Sequence, residues 1–368
     1  MRKLSFNAKL IFTIICFGII SLISIFSAQK ISSNSLGNIF IKQIIFYIIG
    51  IIILIIAYYN KKRITKYSFT IYLFFNFLLL LLLFMGISIN GSRCWLIIGP
   101  ISFQPSEFMK IILIIVIARV LSKHRSRKNM KKEFKMLLII FTLTIIPAIL
   151  TFLEPDTGVV LIYFIIAISM VLYRGINKKW YLVLLAILGF IGSIVLVLLF
   201  YKRELIIGFL DNNIFYRLDR ILNWQKQSGY QLENSIITIG SSGLLGFGIN
   251  KVPLYYPEAS TDFIFTTFSS IFGFLGNICL FIAIIYFDIN ILKVCKKKIK
   301  KSDEYLLIGL FSMIIYQQIQ NIGMTIGLFP ITGITLPFIS YGGSSLLSYM
   351  FITGIILRIY RDNYKYIN

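Results

Sequence analysis

Charge, histidine and cysteine are all scarce in this chain, and each scarcity excludes something. Charged residues are only 14% of the 368, against about 25% in an ordinary soluble domain. A cytosolic enzyme or a disordered tail needs more charge than that to stay in water. One histidine and four cysteines, with no C-x-x-C spacing, give neither a Cys/His metal site nor a disulfide framework. Acidic residues are also few, 14 against 37 basic ones. In their place stand long apolar runs, such as Leu78 to Met85 extended on both sides, and 58% of the chain is hydrophobic. Runs of this kind need hydrocarbon around them.

A helix crosses the hydrocarbon with about 20 mostly apolar residues. On that criterion the chain is an all-α polytopic membrane protein, one integral domain over 1–368 with about ten transmembrane helices. The spans lie near 9–28, 41–59, 68–88, 106–122, 136–153, 158–173, 181–201, 263–292, 305–328 and 341–360. The first run is too long for a cleaved signal peptide and serves as a span. Ten spans put both termini on one side. Twenty-seven of the 37 basic residues fall on that side and nine on the other. Cytoplasmic loops retain Lys and Arg, so both termini are cytoplasmic. The formal net charge of +23 is therefore topology and not a nucleic-acid surface. One long extracytoplasmic loop, about 202–262, carries six basic and six acidic residues, and its Trp224 and Ile236-Ile237 suggest packing onto the bundle. Long ordered loops often carry function.

Chemistry gathers at the outer helix ends. Asp262 closes the long loop directly before Phe263-Ile264-Phe265. A partly desolvated carboxylate at such a lip suits a general base, and Thr261-Asp262 equally suits a helix N-cap. Glu107 and Lys110 are three residues apart, so they share a helix face, either towards a cavity or as a self-satisfied ion pair. Arg93 and Trp95 precede them beside the same mouth, and an Arg with a Lys suits a phosphate. Gln317 and Asn321 set two amides on one face of the ninth span. The segment after them, Pro330 to Ser345 with Ser344 near its end, is uncharged and rich in Gly, Pro and hydroxyls. Backbone of that kind is tolerated at membrane depth only when buried in protein or lining a wet cavity.

Several strings occur together and in order: Gly91-Ser92-Arg93-Cys94-Trp95, Phe103-Gln104-Pro105-Ser106-Glu107, Glu154-Pro155-Asp156-Thr157-Gly158 and Gly229-Tyr230-Gln231-Leu232. They are followed by Ile239-Gly240-Ser241-Ser242-Gly243, Thr261-Asp262-Phe263-Ile264-Phe265 and the stretch from Pro330 to Ser345. With them the chain resembles the SEDS family of RodA, FtsW and SpoVE proteins across nearly its whole length. The resemblance implies a peptidoglycan glycosyltransferase of the bacterial plasma membrane that polymerises lipid II and releases undecaprenyl pyrophosphate. It implies that Asp262 deprotonates the acceptor hydroxyl. It places Arg93, Glu107 and Lys110 on charged cavity positions and Arg220 on a loop arginine. Partners implied are lipid II, a class B penicillin-binding protein and membrane lipids. No cofactor is certain, and a divalent cation stays open. This chain has Ser260 where the family usually has His, Ser269-Ser270-Ile271 where an acidic pair is common, and a shorter stretch between Trp224 and Gly229. A lipid II flippase and a non-catalytic scaffold of a cell-wall complex remain the alternatives.

Overall fold

Once water is excluded, a chain segment satisfies its backbone polar groups best within itself, so long apolar runs become helices. In the computed structural model the described residues are 2–31, 38–59, 66–89, 92–98, 101–124, 129–183, 229–295 and 299–363. The helices are α1 (Arg2–Ile31), α2 (Ile39–Tyr59), α3 (Ser68–Met85), α4 (Pro105–Lys123), α5 (Met130–Leu153) and α6 (Thr157–Arg174), followed by α7 (Tyr230–Ser241), α8 (Ile264–Cys295), α9 (Lys301–Thr325) and α10 (Gly343–Asn363). Among the described residues, eight helices are long and apolar enough to cross a membrane. The short α7 is not one of them. Neither is α4, which carries Glu107, Lys110, Arg119 and Lys123.

That last exception is informative. The fourth span is the hub of the bundle and not a lipid-facing helix: it packs against α3, α5, α6, α9 and α10, and 111–118 are buried without a break. Protein and not lipid surrounds its charges, which is how ionisable side chains survive at membrane depth. Only 181–183 of the expected seventh span are described, and they are helical. The sequence splits at Glu154 as expected, with α5 ending at Leu153 and α6 starting at Thr157.

Apolar side chains gain little by leaving lipid for one another, so helix pairs in a membrane rely on close backbone approach. The broadest contact joins α2 to α10. A Cβ on Gly354 would stand 2.5 Å from the Leu54 carbonyl and 2.6 Å from Ala57 Cβ. Near the start of α2 the side-chain amide of Gln43, fully buried, donates to Ser21 Oγ at 3.2 Å and to the Ser340 carbonyl at 3.4 Å. By contrast α2 leans on α1 and α10, whereas α3 leans on α4 and α5, so these consecutive helices diverge.

Two features depart from the expected layout. The end of the third span and the loop after it form a small antiparallel sheet, β1 (Ile87–Ile89), β2 (Ser92–Ile98) and β3 (Ile101–Phe103) in the order β1-β2-β3. It sits on the outer rim between α3 and α4. The eighth span is broken at Gly273, whose φ of 63° leaves the helical region. The turn after α7 fills the break. Phe247 N donates to Ser270 O at 2.8 Å and Gly248 N to Ile271 O at 3.2 Å, while Phe274 N reaches Gly243 O at 2.9 Å and Leu275 N reaches Leu244 O at 3.1 Å. A side chain at either contact would collide: a Cβ on Gly246 would lie 2.3 Å from Ile271 O, and one on Gly273 2.3 Å from Gly246 N. The orientation of α7 also corrects the sequence reading. Ile236 and Ile237 face outward, and the polar Asn234, Ser235 and Thr238 pack onto the bundle.

Candidate active site at the outer rim

Asp262 is half-buried and lies at the end of a turn in which Thr261 N and Phe263 N both donate to the Glu258 carbonyl, at 3.2 and 3.0 Å. The turn is sewn to the segment before α10. Tyr341 N donates to Ser260 O at 2.8 Å, and Ser340 Oγ to Thr261 O at 2.7 Å. Asn321, in the last turns of α9, gives one amide proton to Asp262 O and the other to Ile334 O, both at 2.8 Å. Gly333, at a φ of 72°, lies beside the carboxylate, and a Cβ there would make an ordinary contact of 3.5 Å with Oδ2. Asn321 therefore fixes the main chain of Asp262 at the depth where α9 ends, which is the outer edge of the bundle.

The second group of residues surrounds α4. Lys110 Nζ donates to both carboxylate oxygens of Glu107 at 2.8 Å, and the lysine is fully buried. The ring of Tyr349 lies 5.9 Å from the same Nζ. Gln317 Nε2 donates to the hydroxyl of that same tyrosine at 2.8 Å. So Gln317, Lys110 and Glu107 meet across Tyr349. Ser344 Oγ accepts from Gln104 N at 2.9 Å, and Gln104 Nε2 donates to Asp156 Oδ2 at 3.1 Å. Asp156 also caps α6, its Oδ1 accepting from Val159 N at 3.2 Å.

Glu154, Asp156, Gln104 and Tyr349 were missed as site residues. The first three sit in strings that the sequence displays, and only their spatial meeting was hidden. Burial raises the Glu154 carboxyl to about 9, helped by the neighbouring Asp156 charge. Burial also raises Asp156 to about 6, a rise that Val159 N–H, Lys110 and Gln104 oppose and Glu107 assists. Among the described residues, neither side-chain oxygen of Glu154 has a hydrogen-bond partner. Glu107 and Asp156 thus share Lys110, and burial favours the protonated form of Glu154.

The segment from Pro330 to Gly342 links the two groups. Gln320 Nε2 donates to Pro330 O at 3.0 Å and to Thr332 Oγ1 at 3.2 Å. Gly158 packs on Thr332 O, where a Cβ would come to 2.5 Å. Non-helical backbone at this depth is thus satisfied by the amides of α9. The main chains of Arg93 and Trp95 lie on β2, and Trp95 is half-buried opposite Ile87. The side chain of Arg93, and all of Arg220 and Trp224, lie outside the described residues. Among the described residues no three His, Cys, Asp or Glu come together as a metal ion would need, so a divalent cation finds no described ligand set.

Comparison with known proteins places this geometry. The model of the FtsW, RodA and SpoVE family, described as "Cell cycle protein", matches residues 7–365. A "Probable peptidoglycan glycosyltransferase FtsW" of Coxiella burnetii is 34% identical over 372 residues, covering 96% of each chain. The "Stage V sporulation protein E" of Bacillus subtilis is 32% identical over 338 residues, 87% of this chain and 86% of its own. A solved chain described under "Structural coordination of polymerization and crosslinking by a peptidoglycan synthase complex" superposes with a TM-score of 0.77 at 23% identity, over 97% of this chain and 98% of that one.

Proposed function

The chain belongs to the FtsW, RodA and SpoVE family, and on that premise we propose that its outer rim polymerises lipid II with Asp262 as the base. The protein is a multi-pass membrane enzyme, a peptidoglycan glycosyltransferase of cell-wall synthesis. In the proposed step the hydroxyl of one lipid-linked sugar attacks the anomeric carbon of another. A C–O bond forms there as the bond to the diphosphate oxygen breaks. The hydroxyl proton passes to the Asp262 carboxylate, and the electron pair leaves with undecaprenyl pyrophosphate.

One observation carries this reading. Asp262 is held by Asn321 where α9 reaches its outer end, which is the level at which lipid diphosphates present their sugars. The divergence of α2 from α3 supports an approach from the bilayer for the polyisoprenyl chain. Lys110 takes a supporting role here: it is fully buried and donates to both oxygens of Glu107. Neutralising the leaving diphosphate falls instead to Arg93 and Arg220. Asn321, Gln317 and Ser344 position the surrounding backbone and Tyr349. The transporter alternative is disfavoured because the middle of α4, Ile111 to Ala118, is apolar and buried and offers no polar group to a passing substrate. A class B penicillin-binding protein would supply crosslinking, in the plasma membrane of a bacterium.

The deciding experiment gives purified protein labelled lipid II, alone and with a class B partner, and resolves glycan length on a gel. Asp262→Asn keeps the side chain's shape and a capping oxygen but cannot take a proton. The expected result is intact folding with polymerisation roughly 10²–10⁴-fold slower. Equal rates in a stably folded variant would remove Asp262 from the chemistry. Absence of any polymer from the parent protein with its partner would favour the scaffold.

A further inference from the structure

A helix in water buries its apolar face, and α7 departs from this. Its inner face mixes Leu232 and the half-buried Ile239 with the polar Asn234, Ser235 and Thr238. Ser235 Oγ pairs with Thr266 Oγ1 at 2.6 Å and donates to Thr325 O at 2.8 Å, so polar groups glue the helix to α8 and α9. Its outer face presents Ile236 and Ile237, and the turn beyond it adds Leu244 at 67% and Leu245 at 75% exposure. An inside-out pattern marks a helix whose surroundings are less polar than its protein contacts.

Depth can be read from the neighbours. Leu244 and Gly243 are hydrogen-bonded to Leu275 and Phe274, which open the second half of α8. That half, 274–295, is about 33 Å long at about 1.5 Å per residue, close to the thickness of the hydrocarbon. The turn therefore stands at the outer boundary of the acyl chains. Ile236 Cδ1 lies 3.1 Å from where a Cβ on Gly327 would be, just past the outer end of α9. Exposed Phe274, Leu275, Ile326 and Leu328 continue the same apolar surface onto the spans. At its other end α7 carries exposed Tyr230, and Asn234 Nδ2 donates to the carbonyl of exposed Tyr255 at 2.7 Å. Tyrosines of this kind mark the headgroup level. With 12 residues, about 18 Å, α7 is too short to cross.

We propose that α7 and the turn 242–249 form an interfacial lipid-binding surface, whose isoleucines and leucines contact the acyl chains of the outer leaflet. The occupant is lipid because the patch is continuous with the lipid-facing sides of α8 and α9. The proposal does not depend on the glycosyltransferase reading. Its consequence is mechanical: the turn is bonded into the break of α8, so the bilayer surface sets the depth of the first half of α8, at whose start Asp262 lies.

The test is collision accessibility of a nitroxide on single cysteines, Ile237→Cys, Leu244→Cys, Leu245→Cys and Lys251→Cys. The full chain is used with Cys16, Cys94, Cys279 and Cys295 replaced, in vesicles of phosphatidylethanolamine and phosphatidylglycerol. Oxygen should relax the first three labels more than a water-soluble nickel chelate, at depths of about 5–10 Å, and Lys251→Cys should show the reverse. Dominant nickel access at 237, 244 and 245 would place the face in water and overturn the proposal. Exclusion of both reagents would show protein on the face and overturn it equally. Leu245→Trp in the chain with its native cysteines, quenched by lipids brominated near the headgroup, provides a second readout. No quenching beyond the parent's would count against it.

Discussion

Replacing Lys110 by methionine keeps the length of the side chain and deletes a charge that has no access to water. Two hydrogen bonds of 2.8 Å to Glu107 disappear, and the carboxylate is left buried without its partner. Breaking a buried pair from one side costs about 3–5 kcal/mol, most of it the desolvation of the abandoned charge. The two singles should not be equal. Without Lys110, Glu107 and Asp156 face each other as like charges, because Lys110 offsets both. Without Glu107, Lys110 still has Asp156 as a counter-charge. Lys110→Met should therefore be the worse single and Glu107→Gln the milder. The double variant removes both charges, so its cost should fall short of the summed singles by at least about 2 kcal/mol. Denaturation midpoints in lipid nanodiscs, followed by size-exclusion of the surviving monomer, measure all four proteins. Additive losses, or Glu107→Gln proving as damaging as Lys110→Met, would refute the coupling.

Glu154 supplies a pH prediction. Its folded value of about 9 lies above the ordinary 4.5, so between these values the unfolded chain has released a proton that the folded chain keeps. Stability must then fall as pH rises across that window. Glu154→Gln abolishes this slope and should raise the free energy of unfolding at pH 8 by about 2–5 kcal/mol, with little change near pH 5; parallel pH profiles for parent and variant would contradict it. Gly273→Ala forces a Cβ within 2.3 Å of Gly246 N at a φ of 63°. It should undock the 243–248 turn, read as faster proteolysis after α7, and unchanged cleavage would mean the break tolerates a side chain. Ser260→His restores the residue usual beside the aspartate. Polymerisation should rise severalfold, measured by lipid II consumption, if imidazole assists the base; no gain would leave the serine sufficient.

Hydropathy made the spans legible because lipid imposes a length and a composition on each helix. Spacing made the Glu107–Lys110 pair legible, since three residues set two side chains on one helical face. The same logic set Gln317 and Asn321 together but could not name their partners. Tyr349 lies 32 residues from Gln317, and Asp262 lies 59 from Asn321. The outward Ile236-Ile237 shows a different limit. Periodicity tells which residues share a face, while the medium that face meets depends on where the helix is parked. The break of α8 was hidden for a related reason: Gly273 stands inside an unbroken apolar run, and the four hydrogen bonds that permit the break come from a distant turn. Of the rim strands only β1 was absorbed into the end of the third span; β2 and β3 fell in the loop after it, where pairing across a hairpin leaves no helical period to read.

The seam between α2 and α10 bears on how the molecule is made. Gln43 emerges early, yet one of its two acceptors, the Ser340 carbonyl, lies 297 residues later. At about 5–20 residues per second this partner is synthesised about 15–60 s after the glutamine. During that interval α2 sits in the membrane with a half-satisfied amide, and its face shaped for Gly354 meets only lipid or an insertase. A helix made about 300 residues after the second one, roughly 15–60 s later at that rate, is therefore the one that packs it in place. A chain stopped before Gly343 would hold most of its spans and the Ser340 acceptor, yet nothing would fill the seam that α2 shapes for Gly354.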